Sequence, residues 1–298
     1  MAKLTKLSTR AKLKGLSQYI AYSLYYTCTA SNLRRSYRNS IYCQDVLIAS
    51  DGVIKSTYCK NRWCPSCNRI KTAGYINRYL PVLEAQKELY FVTLTRPNVV
   101  ADDLRAEIKE LLRLYRYIVN NPTMRNLIKS TNTVGVRKLE CTYNPQRDDY
   151  HPHLHLLVSS KSVSDAIVSK WLNLNPIASR DAQCVKPVSE LYGGVKELFK
   201  YFTKLLARSN SGRVYFDAVH MDVVFVACRN VQIFGGLGGL KINDINDDEA
   251  DGIDNVGVSG VYKYRDIGQY IGYYSIDEAD NSNLIEVAKP RYLKELES

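Results

Sequence analysis

The most constraining feature of this sequence is a run of three alternating histidines. Three of the four histidines in the chain occur as His151-Pro-His153-Leu-His155, and an apolar run at 156–158 follows directly. Side chains on a β-strand alternate between its two faces, so the three imidazoles share one face and the intervening apolar residues share the other. The pattern therefore predicts a strand with one face in a core, whose other face can bind a single ion through two imidazoles.

The residues around the histidines predict a hairpin. Residues 134–143 have the composition of a strand and residues 144–149 that of a polar turn, so the histidine strand returns antiparallel. Periodicity and capping residues predict further elements: a strand at 89–95, a helix capped by Asp102 or Asp103, helices at 11–30, 163–174 and 194–208, and strand-like runs within 214–234. The order of these elements is that of a mixed α+β protein.

Glu140 is the predicted third ligand of the ion. Polar side chains alternate along 138–142 on the first strand of the hairpin, which directs the Glu140 carboxylate toward His153 and His155. His151 is the alternative third ligand. Two imidazoles and a carboxylate with open water positions suit a catalytic Mg²⁺ or Mn²⁺ better than a closed structural zinc site.

Four of the eight cysteines lie close together in the sequence, at Cys43, Cys59, Cys64 and Cys67. Cys64 and Cys67 form a Cys-x-x-Cys pair whose thiolates can reach one tetrahedral ion, and the other two can complete the site. The spacing favours structural zinc over disulfides, with a redox dithiol as the alternative, and we expect a reducing cytoplasm as the compartment. The remaining four cysteines are expected to be ordinary buried residues.

The net charge of +11 is distributed very unevenly. Residues 1–80 contain fourteen Lys and Arg against two Asp and Glu, residues 81–239 contain twenty-one against fifteen, and residues 240–298 contain six against thirteen. We therefore predict three segments: a basic helical and cysteine-bearing region at 1–80, a domain that carries the chemistry at 81–240, and an acidic extension at 241–298.

A basic block of this size is typical of a nucleic-acid-binding surface. Cationic residues flank the cysteines and are the candidate DNA contacts: Lys60, Arg62, Arg69 and Lys71. The acidic extension is expected to lie away from the DNA, because its charge repels phosphate. No run of eighteen apolar residues occurs, so a membrane is not an expected partner.

The glycine-rich segment 235–239 lacks the Lys-Ser/Thr pair of a phosphate-binding loop. We expect a bend or a close approach of two backbones there. The segment at 196–206 has a clearer pattern, because helical spacing places Glu197, Tyr201 and Lys204 on one side of a helix. That arrangement puts a tyrosine hydroxyl beside a lysine.

In combination these motifs resemble those of the HUH endonucleases, and within them the replication initiators of small rolling-circle plasmids. The matching segments are, in chain order, Phe91-Val-Thr-Leu-Thr95, the histidine run 151–155, and Glu197-Leu-Phe-Lys-Tyr201-Phe-Thr-Lys204. The cysteine region and Phe234-Gly-Gly-Leu237 are also similar to segments of that group. The resemblance covers residues 43–240 and implies a central antiparallel sheet of about five strands with helices packed on it, preceded by a helical and zinc-binding N-terminal region.

The resemblance implies a metal-dependent DNA endonuclease and strand transferase. The resemblance implies that Tyr201 is the nucleophile, which forms a 5′-phosphotyrosine and leaves a free 3′-hydroxyl primer. Lys204 would help to activate Tyr201, and His153 and His155 would hold the divalent ion. Similar initiators carry a glutamate that activates water at the position of Glu197, so we predict hydrolytic termination with Glu197 as general base. The implied partners are single-stranded or hairpin origin DNA and the host helicase and DNA polymerase.

Two other functions are compatible with the sequence. A mobilisation relaxase or single-tyrosine transposase shares the chemistry, although the cysteine block and Glu197 favour the replication group. A zinc-containing nucleic-acid-binding regulator without catalysis is the alternative from another class. The amino-acid sequence does not specify which origin DNA is recognised or whether the source is a plasmid or a virus. It also does not specify whether the chain forms a homo-oligomer or what residues 241–298 do.

Overall fold

The structure is a computed structural model that describes residues 2–51, 53–199, 203–209, 211–240, 259–277 and 282–297. The side chains of residues 2–5, 191, 192, 196 and 197 are not part of this description. The catalytic candidate Tyr201 lies outside the described residues.

Helices and strands are both distributed along the described residues. The helices are α1 (Ala2–Thr27), α2 (Arg34–Ile41), α3 (Pro65–Glu84), α4 (Ala101–Asn120), α5 (Pro122–Ser130), α6 (Lys161–Leu174), α7 (Leu191–Phe199), α8 (Ala218–Ala227) and α9 (Arg291–Glu297). The strands are β1 (Val46–Ser50), β2 (Val53–Ser56), β3 (Tyr90–Thr95), β4 (Val134–Asn144), β5 (Asp149–Val158), β6 (Cys184–Pro187), β7 (Ala207–Arg208), β8 (Val214–Tyr215), β9 (Phe234–Gly238), β10 (Gly260–Ile267), β11 (Tyr270–Ser275) and β12 (Asn283–Ala288).

The chain divides into two compact units. The central unit comprises Thr72–Lys204 and Val223–Asp244, and the terminal unit comprises Met1–Lys71, Leu205–Asp222 and Ile245–Ser298. Among the described helices, none is long and apolar enough to cross a bilayer. The predicted division at residues 80 and 240 stays a prediction.

The central unit is built on a five-stranded sheet in the order β6-β3-β5-β4-β9, in which every pair is antiparallel. Strands β4 and β5 form the predicted hairpin, and their register places Glu140 opposite His153 and Lys138 opposite His155. Leu154, Leu156 and Val158 are fully buried. The predicted α+β class with a five-stranded antiparallel sheet is therefore confirmed.

The two faces of this sheet are covered differently. Helices α4 and α6 pack on the apolar face, and α4 buries residues at helical spacing, including Leu104, Ile108 and Leu111. Helix α7 packs on the histidine face, because its last residue Phe199 contacts the ring of Phe234, which lies opposite Lys138 in the sheet. The end of α7 therefore lies on the face that carries the histidines.

Two predicted elements differ from the structure. The helix predicted at 194–208 ends at Phe199 in the described residues, and Ala207–Arg208 instead pairs with Val214–Tyr215 across a turn that contains Gly212 at a φ of 80°. Lys204 is exposed and lies beyond α7. The Val- and Phe-rich run predicted as strand is helix α8, which begins after Asp217 because that carboxylate accepts a hydrogen bond from the backbone N–H of His220 at 3.2 Å.

The expected close backbone approach at the glycine-rich segment is confirmed. Strand β9 pairs with β4 through Gly235, Gly236 and Gly238. A Cβ atom at Gly238 would lie 1.9 Å from the carbonyl oxygen of Thr133, and the φ of Gly238 is 68°. Only glycine fits there without displacing the neighbouring strand.

The terminal unit contains a second five-stranded sheet, in the order β12-β11-β10-β1-β2. Strand β1 pairs antiparallel with β10, so the acidic C-terminal segment supplies three of its strands. Helix α1 packs against this sheet and buries Leu16, Ile20 and Leu24, which confirms the amphipathic helix predicted at the N-terminus.

Candidate functional site

Glu140, His153 and His155 converge on the histidine face of the central sheet. One ligand atom from each lies within 4.8 Å of the others. The Nε2 atoms of His153 and His155 are 3.1 Å apart, and His155 Nε2 is 3.8 Å from Glu140 Oε2. The three donors therefore face one common point, as the alternation along the hairpin predicts.

Hydrogen bonds at Nδ1 orient both imidazoles. His153 Nδ1 lies 3.0 Å from the carbonyl oxygen of His151, which only accepts, so Nδ1 carries the proton and Nε2 carries the lone pair. His155 Nδ1 lies 3.2 Å from the hydroxyl of Thr93 on β3. Contacts of this kind fix the ring orientation of metal-binding histidines and leave Nε2 for the ion.

The electrostatics of the cluster favour the protonation states that a divalent cation needs. Burial, and then the neighbouring His155, lower the pKa of His153 to about 4. Burial acts to raise the pKa of Glu140, but Lys138 above all, together with His153 and His155, holds that pKa below its usual value. At neutral pH His153 is therefore neutral and Glu140 is a carboxylate, so the donor set fits a divalent ion.

Lys138 is a member of this site that the sequence reasoning missed. Its side chain is 1% exposed, and its ammonium donates a hydrogen bond to Glu140 Oε2 at 2.8 Å. The available signal was its position two residues before Glu140, which places both on one face of β4. Lys138 holds the carboxylate beside the imidazoles.

The structure brings Glu140 and not His151 to the cluster. The Nδ1 atom of His151 lies 2.8 Å from Asn98 Oδ1, and its ring stacks on His153 with centroids 4.9 Å apart. Burial, and then His153, lower the pKa of His151 to about 4. His151 supports the ring of His153, and its carbonyl orients that ring.

The substitution Glu140→Gln is expected to weaken Mn²⁺ binding by about 10- to 100-fold or more, because a neutral amide replaces an anionic donor of the same shape. Titration calorimetry of Mn²⁺ into the zinc-loaded protein measures the affinity. The substitution His151→Gln serves as the control and is expected to change the affinity by less than about threefold. A loss in His151→Gln as large as that in Glu140→Gln would show that the third ligand is His151.

An aromatic cluster holds the C-terminal end of α7 on the histidine face. Phe199 stacks on Tyr75 with ring centroids 5.3 Å apart, and its carbonyl accepts a hydrogen bond from Thr72 at 2.7 Å. Phe199 lies two residues before Tyr201 in the sequence, and two residues span at most about 7 Å. Glu197 lies within α7, although its side chain is not described.

The four predicted cysteines converge in the terminal unit. Their sulfur atoms lie within 4.8 Å of one another, with Sγ–Sγ distances of 3.5 Å for Cys43–Cys67, 3.6 Å for Cys43–Cys64 and 3.7 Å for Cys59–Cys67. Tetrahedral Zn–S bonds of about 2.3 Å place neighbouring sulfurs roughly 3.8 Å apart. The cluster therefore has the dimensions of a four-thiolate metal site, whereas a redox pair would need only two sulfurs.

Local structure positions these sulfurs. Cys43 follows α2 and Cys59 follows β2, while Cys64 directly precedes α3, which begins at Pro65, and Cys67 lies in its first turn. Pro is favoured at the first position of a helix, and the N-terminal end of a helix stabilises thiolates. Cys43, Cys64 and Cys67 are buried, and hydrogen bonds from these three lower the pKa of Cys59.

The candidate DNA contacts around the cysteines are accessible to different degrees. Lys60 and Arg69 are exposed, and Arg62 and Lys71 are half-buried. Of the other basic residues near the N-terminus, Arg10 and Lys14 are buried, and Lys14 donates to the carbonyl oxygen of Ile41 at 2.8 Å. These two cations belong to the core of the terminal unit and do not contribute to a phosphate-binding surface.

Two convergent clusters, one of thiolates and one of two imidazoles and a carboxylate, give this α+β scaffold two groups of side chains that could each hold a metal ion. Comparisons with known proteins show what the chain is similar to. Residues 52–165 match the replication protein family Rep_1, and this stretch includes three of the four clustered cysteines, Glu140 and the histidine run. No solved structure matches the chain significantly.

Curated relatives carry the name Protein rep. The chain is 37% identical over 123 residues to the protein of Staphylococcus aureus, and the aligned stretch covers 40% of this chain and 52% of the relative. It is 30% identical over 166 residues to that of Streptococcus pneumoniae (48% and 50%), and 32% identical over 175 residues to that of Lentilactobacillus hilgardii (49% and 53%). The chain thus matches about half the length of these relatives, and the predicted resemblance to plasmid replication proteins is confirmed.

Proposed function

We propose that the protein initiates rolling-circle replication in the cytoplasm by nicking one strand of origin DNA with Tyr201 as nucleophile. The observation that carries the proposal is the convergence of Glu140, His153 and His155 on the sheet face where α7 ends two residues before Tyr201. The similarity to proteins named Protein rep supports a role in replication.

Glu140, His153 and His155 would hold a divalent Mg²⁺ or Mn²⁺ ion through one carboxylate oxygen and two Nε2 atoms. Such an ion supplies Lewis acidity to a non-bridging phosphate oxygen. Lys138 holds Glu140 in place by its hydrogen bond, and the Nδ1 contacts of the two histidines keep their lone pairs directed at the same point.

In the nicking step the oxygen of Tyr201 attacks the phosphorus of the scissile phosphodiester. The Tyr201 hydroxyl gives up its proton to water as the new O–P bond forms. The bond from phosphorus to the 3′-oxygen breaks, and that oxygen leaves with the electron pair and takes up a proton from water. The product is a 5′-phosphotyrosine and a free 3′-hydroxyl from which a host polymerase extends. Lys204 is exposed, three residues after Tyr201, and assists by favouring the phenolate.

Glu197 is the proposed general base for termination. It accepts a proton from water, whose oxygen attacks the phosphotyrosine and releases Tyr201. We expect Glu197→Gln to nick origin DNA at a rate within about threefold of the unmodified protein and to release the 5′-phosphate at least about 100-fold more slowly. Quenched-flow measurement of adduct formation and decay separates the two steps, and equal losses in both would contradict this role.

The cysteine cluster is proposed to hold a structural Zn²⁺ ion that shapes the terminal unit. Lys60 and Arg69, which are exposed, are proposed to contact DNA phosphates together with Arg62 and Lys71. Contacts of this kind predict a binding affinity that falls steeply with salt concentration.

The proposal is tested by incubating the protein with a panel of hairpin oligonucleotides and Mn²⁺, followed by denaturing electrophoresis. A denaturation-resistant protein–DNA adduct with a free 3′-hydroxyl on the released strand is expected. A zinc-containing regulator without catalysis would bind the hairpins and form no adduct, which would contradict the proposal.

A further inference from the structure

Two adjoining cavities of about 640 and 500 Å³ form a groove in the central unit. Val119, Asn120 and Gly236 line both cavities. The walls come from α4, α5 and β9, which is an edge strand of the sheet. Six cationic side chains line what we call the basic groove: Arg105, Lys109, Arg116, Arg125, Lys129 and Arg137.

The cations of the basic groove have no acidic partners among the described residues, although Arg105 donates to the carbonyl oxygens of Val226 and Ala227 at 3.0 Å. No Asp or Glu lines the groove, and none of its six cations forms an ion pair within the part of the chain that the structure describes. Helix α4 presents Arg105, Lys109 and Arg116 within an arc of about 40°, because these residues are four and seven positions apart. Five of the six cations, all except Arg137, are exposed.

The floor of the groove is a built polar site. Arg137 is 5% exposed, donates to the carbonyl oxygens of Ile233 and Gln232 at 3.2 Å, and lies over the ring of Tyr115 at 5.9 Å. Tyr115 is 4% exposed, and its hydroxyl has no hydrogen-bond partner among the described residues. Buried hydroxyls without a partner are rare, so an oxygen of a ligand in the groove would satisfy this donor.

The opposite wall, along β9, is mostly backbone, although Leu237, which is 4% exposed, also lines it. It contains Gly235, Gly236, Gly238 and Gly239. A Cβ atom at Gly235 would lie 2.9 Å from the guanidinium of Arg137, and open space surrounds the Cβ position of Gly239. The absence of side chains at these glycines lets a chain-like ligand approach closely.

We propose that the basic groove binds the sugar-phosphate backbone of a DNA strand, at a site separate from the metal-ligand cluster. Arg137 and Lys138 are neighbours on β4 and so face opposite sides of the sheet, which places the groove and the cluster on different faces. Arg105 and Arg116 lie about 16 Å apart along α4, which corresponds to roughly five phosphates of one strand. The choice of DNA as ligand rests on the proposed function, whereas the site rests on its own charges and geometry.

The test compares the double variant Lys109→Ala/Arg116→Ala with the unmodified protein by fluorescence anisotropy. The probes are a labelled 30-nucleotide dT strand and a labelled 30-base-pair duplex, in buffer without added Mg²⁺ or Mn²⁺ at several salt concentrations. At 0.1 M salt we expect an affinity loss of about 10- to 30-fold for the probe that occupies the groove, and a salt slope smaller by about 1.4 for the strand or 1.8 for the duplex.

The control is Arg113→Ala/Lys161→Ala, which removes the same charge from the central unit. Arg113 pairs with Glu110 at 2.7 Å, Lys161 pairs with Asp165 at 2.5 Å, and neither lines the groove. Circular dichroism checks folding, and Arg125→Ala/Lys129→Ala replaces the first variant if it fails to fold. An unchanged salt slope with both probes, or an equal loss in the control, would overturn the proposal. Because nicking plays no part in this measurement, a protein that forms no adduct leaves the result interpretable.

Discussion

Replacing Tyr201 with Phe is expected to abolish the covalent protein–DNA adduct and to lower the rate of origin nicking by more than about 10³-fold. The substitution removes only the hydroxyl oxygen, which is the atom that would become bonded to phosphorus. The metal-ligand cluster of Glu140, His153 and His155 is unchanged, so Mn²⁺ affinity and hairpin binding should remain within about twofold. Denaturing electrophoresis with a labelled hairpin and calorimetric titration of Mn²⁺ measure the two effects separately.

The control for this variant is Tyr192→Phe, because Tyr192 is the other tyrosine between residues 191 and 208. Tyr192 lies in the first turn of α7, about 10 Å along the helix from Phe199, which precedes Tyr201 by two residues, so the Tyr192 hydroxyl is not expected to attack the same phosphate. Tyr192→Phe should keep at least half of the nicking activity. If the adduct persisted in Tyr201→Phe and vanished in Tyr192→Phe, the nucleophile would be Tyr192 and the proposed role of Tyr201 would be wrong.

The histidine strand could be predicted from sequence because its signal is local. A period of two over His151, His153 and His155 fixes which side chains share a face, whatever the rest of the chain does. The choice between Glu140 and His151 as third ligand needed the register between β4 and β5 and the contact of His151 with Asn98. Both depend on tertiary structure, which the local sequence pattern does not specify. The burial of Lys138 beside Glu140 depends on it as well.

Helix α8 shows where local propensity fails. Its Val- and Phe-rich composition favours a strand, but Val224 and Phe225 are buried, and the cap at Asp217 starts a helix. The helix predicted through residue 208 fails for a related reason. The pairing of Ala207–Arg208 with Val214–Tyr215 depends on the turn at Gly212, which hydrophobic periodicity does not detect.

The second sheet could not be predicted because its pairing is remote in sequence. Strand β1 pairs with β10, which begins more than two hundred residues later, and no short-range pattern specifies such a partner. The C-terminal segment that supplies strands to this sheet also pairs some of its own acidic residues. Lys289 pairs with Asp266 at 2.7 Å and with Glu297 at 2.8 Å, so part of the acidic charge is neutralised within the segment.

The formal charge of the N-terminal segment also overstates its surface charge. Lys14 is fully buried 3.3 Å from Asp45, and burial lowers its pKa despite that partner. Arg10 is 2% exposed. A sequence count treats these cations like the exposed Lys60 and Arg69, and only the tertiary structure separates them.

The substitution Cys67→Ser is expected to abolish zinc binding by the cysteine cluster and to lower the melting temperature of the terminal unit by more than about 10 °C. Cys67 lies within 3.7 Å of the sulfurs of both Cys43 and Cys59, and a serine hydroxyl is a poor ligand for zinc at neutral pH. Zinc binding to four thiolates contributes about 10–16 kcal/mol in small domains, which exceeds the total stability of many folds. Native mass spectrometry gives the zinc content, and calorimetry gives the melting temperature.

The matched control is Cys28→Ser, which makes the same atomic change in the same unit. Cys28 is 8% exposed and donates from Sγ to the carbonyl oxygen of Ala218 at 3.4 Å, a hydrogen bond that a serine hydroxyl also makes. It should therefore retain one zinc ion per chain and melt within about 4 °C of the unmodified protein. If Cys67→Ser kept its zinc and its melting temperature, the four sulfurs would be a packed thiol cluster. If both variants melted early with full zinc content, the loss would come from buried-thiol packing, and the metal would not be what holds residues 43–67 in place.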